Sequence, residues 1–325
     1  AASDVYKRQA TYKDGTRDGQ LVVVSRDLST AHYATGIATR MQQALDDWGF
    51  IAPQLQDLYE TLNSGKARHA FPFDPAMCMA PLPRAYQRLT GTAYASHATL
   101  LGDAESNLVV HQSASDNLQG AHEHVVCANE NLGVDFSAEI AIITGDVPAG
   151  AKPDAALEDV RLVMLSNAIT LRQVAVGVQS QPAAAFSPVA VTLDELGDAW
   201  DEGCLHLTVQ VAWNGRKVGM CDAGTDMTYA FGQLLAHACK TRALRAGTIV
   251  SSGTISNAGF EKNGQTEWPK GYSCIAEKRA METVRDGKST TEYMDFADTV
   301  RIEAKGKDGQ SVFGAIEQEL TRLHA

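Results

Sequence analysis

The sequence predicts an α+β fold, with a mixed amino-terminal portion followed by a strand-rich body that carries one or two helices. Three observations support this. Residues 205–213 alternate strictly, with Leu205, Leu207, Val209, Val211 and Trp213 on one face, and they run into Asn214-Gly215, a strong hairpin turn pair. Residues 53–64 place Leu55, Leu58, Tyr59 and Leu62 at the i, i+3, i+4, i+7 spacing of an amphipathic helix. After about residue 120 the texture changes from irregular to strands and turns. No internal repeat or low-complexity segment interrupts it.

Taken in order, the chain opens with AASDVYKRQ, which matches nothing around it and reads as a foreign leader over residues 1–9. Two Asp-Gly pairs beside Leu21-Val22-Val23-Val24 predict short strands joined by a tight turn over 10–26. Helices are expected over 36–50 and 53–64, with Pro53 in the first turn of the second and Gly65 stopping it. Residues 66–120 read as irregular and contain His69 and His97. Asp135 to Ile142 reads as a strand, with Phe136, Ala138, Ile140 and Ile142 on one face and Ser137, Glu139 and Ala141 on the other. A helix is expected from about Asp226 to Leu244, with Met227, Phe231, Leu234, Leu235 and Ala238 inward. The run GTIVSSGTISN reads as a strand entering a glycine-rich turn, and two more strands flank Asp308-Gly309. The expected division is an α+β domain over 10–115 and a strand-rich domain over 116–325.

Composition narrows the function classes. The 325 residues are 44% hydrophobic and 21% charged, ordinary for a soluble globular protein. A net charge of −11 argues against nucleic acid or an anionic membrane as partner, since both reward clustered Lys and Arg. The six cysteines are scattered and form no CxxC, so they read as reduced thiols and a cytoplasmic setting. No apolar run approaches the roughly 18 residues a membrane helix needs, and no secretory signal is visible.

Glu139 is the residue that asks for an explanation, since a carboxylate among apolar strand neighbours needs a partner. The segments DFSAEIAIITGDVP (135–148), FSPVAV (186–191), DMTYAFGQLLAHACK (226–240), SSGTISN (251–257), GYSCIAEKR (271–279) and FADTVRI (296–302) answer in part. In order and spacing they resemble the fumarylacetoacetate hydrolase family from about residue 10 onward. The resemblance implies a mixed β-roll body with a smaller α+β amino-terminal domain, in a homodimer. It implies chemistry on a small oxo- or enol-carboxylate, usually hydrolysis of a carbon–carbon bond in a diketo acid. It also implies a divalent cation held by acidic side chains as Lewis acid and template, a histidine that activates water, and a lysine that adds positive charge.

Several of those positions depart from the family pattern. The family's Glu-x-Glu reads Ser137-Ala138-Glu139, and its Asn-Asp pair reads Ser166-Asn167. The aspartate seven residues before the histidine, taken as His97, reads Thr90, and the lysine before FSPVAV reads Gln181. Glu139 alone among Ser137, Asn167 and Thr90 offers a hard cation one charge, where several oxygen ligands are wanted. No cofactor is therefore expected, or at most weak magnesium or manganese at Glu139. Three carboxylates lost, together with the cation and the lysine, leave the site balanced at one negative charge. That pattern suits a pocket rebuilt without metal.

For each candidate two readings stand. His97 is a general base or a structural histidine. Glu139 is a pocket carboxylate or one satisfied by backbone amides. Ser137 is a nucleophile in a Ser137–His97–Glu139 set or a small residue filling a vacated ligand position. Thr254, Gly253, Arg172, Gln181, Asn167 and Tyr94 are candidates for substrate contact, with Gly253 allowing close backbone approach and Arg172 pairing with a carboxylate. His69 reads as a loop histidine. His122-Glu123-His124 reads as a solvated turn or a metal fragment lacking a third ligand. The Glu277-Lys278-Arg279 and Lys240-Thr241-Arg242 clusters read as solvated faces. The function expected is a family-type enzyme on a small oxo- or enol-carboxylate with a degenerate metal site. The alternatives are a metal-independent lyase, isomerase or hydratase, and a silent binding protein.

Overall fold

The computed structural model describes residues 7–102 and 107–323. Strands β1 (Arg8–Tyr12), β2 (Gln20–Val24) and β3 (Thr30–Tyr33) form the expected opening meander. They are followed by helices α1 (Met41–Asp46) and α2 (Trp48–Asn63). Next come β4 (Gln87–Gly91), helix α3 (Ala95–Leu100) and β5 (Val110–Ser113). The body adds β6 (Ala138–Thr144), β7 (Val160–Leu171), β8 (Ala190–Val191), β9 (Thr208–Trp213) and β10 (Arg216–Asp222). Helix α4 (Phe231–Ala238), β11 (Thr248–Ser251), helix α5 (Ile275–Asp286), β12 (Thr299–Ala304) and β13 (Ile316–Arg322) complete it.

Among the described residues one thirteen-stranded sheet runs β3-β2-β1-β8-β7-β6-β11-β4-β5 along its main path. A five-stranded sheet, β10-β9-β12-β13 and Val125–Cys127, packs against it. Alternation along β6 explains the layering. Ala138, Ile140 and Ile142 join Val209, Val211 and Ile302 in the core between the sheets. Ala141 and Ile143 face the other way, into a second core with Leu162, Met164, Ile249 and Leu55 under α1 and α2. Asn214 and Gly215 both take positive φ, 50° and 73°, as the hairpin turn between β9 and β10 requires. No helix among the described residues is long and apolar enough to cross a membrane. All six cysteines are free thiols.

Several expectations need correction. Arg8 and Gln9 belong to β1 and pair with β8, and Lys7 is fully buried, so the leader reading fails for residues 7–9. Residues 1–6 lie outside the described residues. The first two helices meet at Asp47, whose φ of −132° breaks the helix, so Pro53 stands inside α2 rather than in its first turn. Residues 66–120 are not merely irregular, because β4 lies deep in the large sheet, parallel to β11. Helix α4 is shorter than expected because Thr228 and Tyr229 give their backbone N–H groups to the Ala93 carbonyl. The run from Ile275 to Asp286 is a helix, capped by Cys274 and ended by Gly287 in the left-handed region.

Candidate active site

The sheet face that is apolar beneath α1 and α2 turns polar toward one end. Along β7, Leu162 and Met164 give way to Ser166, Ala168 and Thr170. Along β6 and the residues before it, Ile143 and Ala141 give way to Glu139 and Ser137. The register aligns Ala141, Ser251, Thr90 and His111 across four strands, so their side chains share this face. There a pocket of about 360 Å³ opens, floored by Arg88, Thr90, Ser137 and Glu139 and walled by His97, Arg172 and Thr254.

Two carboxylates organise the pocket. Glu277, in the first turn of α5, is buried, and its Oε1 lies 3.0 Å from His97 Nδ1. Its Oε2 accepts the Ser273 N–H at 3.1 Å, which fixes the carboxylate in place. A carboxylate on Nδ1 sets the imidazole tautomer and leaves Nε2 for proton exchange. Glu139 is also buried, and its Oε1 accepts from Ser137 Oγ at 3.3 Å. The partner it needs is Arg88, whose Nη2 lies 3.9 Å from Oε2. Burial pushes the Glu139 carboxyl above its ordinary pKa, against the pull of the Arg88 charge and the Ser137 hydroxyl. Burial and Arg88 together push His111 on the adjoining strand below its ordinary value.

Of the predicted site residues, Thr90, Tyr94, His97, Ser137, Glu139, Arg172, Gln181, Gly253 and Thr254 line this pocket. Their roles shift in detail. Ser137 Oγ is committed to Glu139 and to Thr254 Oγ1 at 2.7 Å, and the group that orients His97 is Glu277, so the Ser137–His97–Glu139 set is not assembled as a triad. Tyr94 gives its hydroxyl to the Ala223 carbonyl at 2.6 Å. Arg172 pairs with Asp135 at 2.9 Å. Gly253, at φ 79°, makes room for β4, since a side chain there would strike the Gly91 carbonyl. Asn167 is not a pocket residue. Its Oδ1 accepts the Ser137 N–H and its Nδ2 donates to Gln318 Oε1, both on the buried face. One position on, Ala168 lines the pocket, as do Thr170 and Leu171 further along β7, so a methyl group stands beside the expected ligand position.

His69 lies outside the pocket, as does His122, which is 3.9 Å from Glu317. Three lining or supporting residues escaped the sequence reading. Glu277 is no solvated face, although GYSCIAEKR marks it. Arg88 and His111 sit on strands that read as irregular, and only the spacing of Arg88 two positions before Thr90 signals it.

The donor set at the family's cation position does not fit a hard divalent ion. Glu139 is the one carboxylate there, beside Ser137, Thr90 and Ala168, and a guanidinium stands 3.9 Å from its free oxygen. A second donor set exists among the described residues. His97, Cys274 and Glu277 present ligand atoms within 4.8 Å of one another. A softer ion there would have to replace the His97–Glu277 hydrogen bond and deprotonate a thiol that burial holds well above its ordinary pKa.

The comparisons bear on the whole chain. The family model described as fumarylacetoacetate (FAA) hydrolase C-terminal matches residues 88–321, and fumarylacetoacetase N-terminal domain 2 matches residues 8–84. Among solved structures, a probable 2-hydroxyhepta-2,4-diene-1,7-dioate isomerase from Mycobacterium abscessus is 18% identical at a TM-score of 0.68, covering 98% of this chain and 100% of its own. Maleylpyruvate hydrolase from Sphingobium sp. SYK-6, solved in complex with manganese(II) ion and pyruvate, is 16% identical at 0.65, covering 98% and 100%. Fumarylacetoacetate hydrolase from the psychrophilic Exiguobacterium antarcticum is 16% identical at 0.66, again covering 98% and 100%. No match to a curated protein is found. At these identities the structures establish a shared fold, and the family model, over most of the length, establishes kinship. The chain belongs to the fumarylacetoacetate hydrolase family.

Proposed function

We propose that the protein is an enzyme that moves a proton on a small oxo- or enol-carboxylate, as an isomerase or lyase that works without a divalent cation. The observation that carries this reading is the His97–Glu277 pair, 3.0 Å apart at the pocket wall. Held by a buried carboxylate on Nδ1, His97 takes a proton from carbon or oxygen at Nε2 and returns it elsewhere on the substrate. Ser137 and Thr254 line the pocket with hydroxyls whose partners are Glu139 and each other. Related folds bear the names of both isomerases and hydrolases, which suits enol chemistry in general.

The test is turnover of a panel of 2-hydroxydienoates, acylpyruvates and oxaloacetate, followed by ultraviolet absorbance in excess chelator. His97→Ala should abolish whatever turnover is seen. Turnover that persists in His97→Ala sinks the reading. A second reading, carbon–carbon hydrolysis with a softer ion on His97, Cys274 and Glu277, has that donor cluster in its favour. It requires activity to appear only when zinc is restored. We further propose a cytoplasmic homodimer, and sedimentation of the purified chain tests the assembly.

A further inference from the structure

Arg88 is an unusual residue to find at the floor of a pocket. Its side chain is 1% exposed, and its Nε and Nη2 have no hydrogen-bond partner among the described residues. Across from it, Glu139 Oε2 has none either. At 3.9 Å the two charges attract without forming a hydrogen bond. Buried charged groups are ordinarily satisfied on every donor and acceptor, so the two orphaned Arg88 donors point to an anionic acceptor, and the orphaned Glu139 oxygen to a donor beside it such as an enol hydroxyl. Nε and Nη2 form one edge of the guanidinium, a fork that matches the two oxygens of a carboxylate.

We propose that Arg88 has taken over the work of the family's divalent cation, so that the pocket binds the carboxylate-and-oxo end of a small α-oxo or enol acid directly on a guanidinium. The position suits the exchange. Arg88 lies on the same strand face as Thr90, where an acidic cation ligand is expected, and its charge faces Glu139, the one carboxylate of the cage that remains. A divalent ion at Glu139 would meet that guanidinium and be repelled, whereas an anion is attracted by it. Arg172, the other arginine of the wall, already spends its Nε on Asp135 and is less able to serve. A fixed cation that cannot be deprotonated holds a developing enolate oxygen much as a metal would, and chelation does not remove it.

The inference rests on the reading of this pocket as a site for oxo or enol acids, and one set of measurements separates the two. Pyruvate and oxamate are titrated calorimetrically into the full chain in EDTA, and again with magnesium or manganese. Binding should be present in EDTA and change less than about twofold with metal. Arg88→Met/Glu139→Gln removes both charges at nearly constant volume, so it should melt close to the parent temperature yet bind at least tenfold more weakly. Arg88→Lys, with charge but no fork, should fall between. No binding in EDTA, binding that needs metal, or full affinity in a folded double variant overturns the inference. Binding through Arg88 with no His97-dependent turnover would retire the proposed function and leave the inference standing. Turnover that needs His97, proceeds in EDTA and ignores Arg88 would do the reverse.

Discussion

Asp135 and Glu139, two buried carboxylates four residues apart in the chain, each face an arginine, and the two pairs are built differently. Asp135 is fully satisfied, since Arg172 Nε donates at 2.9 Å and the first N–H groups of α5, from Ile275 and Ala276, donate at 2.7 and 3.1 Å. Glu139 meets Arg88 at 3.9 Å, and three of their polar atoms have no hydrogen-bond partner among the described residues. Asp135 anchors a helix, with a negative charge at its N-terminus. Glu139 accepts from Ser137 Oγ, and it and Arg88 lie on the pocket floor. The lesson is that burial and charge alone do not distinguish the two pairs, whereas hydrogen-bond completeness does.

The sharpest way to break this comparison is Asp135→Ala. It orphans Arg172 and two helix amides together, and should lower the unfolding free energy by about 3–5 kcal/mol in urea denaturation. A loss under about 1 kcal/mol would mean the satisfied pair is not structural. Glu277→Gln tests the third buried carboxylate, which orients rather than anchors. It should lower kcat by about 10²–10³ on any substrate that depends on His97, with little change in KM. An unchanged kcat would remove Glu277 from the machinery.

Lys7 is the limiting case of an incomplete group. It is fully buried beside the Trp48 ring, with no hydrogen-bond partner on Nζ among the described residues. Burial lowers its pKa to about 7, against the opposing pull of Asp194. Between that value and the ordinary lysine value near 10.5 the unfolded chain binds more protons than the folded one. Stability should therefore rise with pH across this window, by a few kcal/mol at most. Lys7→Met should flatten the rise, as read from melting temperatures at pH 7 and pH 9.5. The smallest effect belongs to Arg88→Met/Glu139→Gln, whose stability should stay within about 1 kcal/mol of the parent although each single change costs more. Equal losses in the singles and the double would place this pair with Asp135–Arg172.

Much of the fold was legible because its strands announce themselves. Strict alternation at 205–213 and the Asn214-Gly215 turn leave little choice. Strand β4 was not legible, since Gln87-Arg88-Leu89-Thr90-Gly91 has one apolar residue and turns its polar face to the pocket instead of a core. Helix α5 was hidden by its charge, with Glu277 buried among residues that look solvated. At the site, Glu139, Ser137, His97 and Thr254 could be found from resemblance. The Asn167 error shows the limit, because a slip of one residue in a strand exchanges the two faces. Nothing local to the sequence distinguishes Asn167, which ties strands together, from Ala168, which lines the pocket.

The parallel pairing of β4 with β11 joins Gln87 to Thr248 and Thr90 to Ser251. Half the pocket floor is thus translated long before the strand that holds it in place. During synthesis Arg88 and Thr90 can pair early with β5, but their parallel partner emerges only about 160 residues later. Contacts this distant along the chain form slowly and late. Anion binding at Arg88 is then a marker of the finished molecule, and a nascent chain stalled before residue 248 should have no pocket to offer.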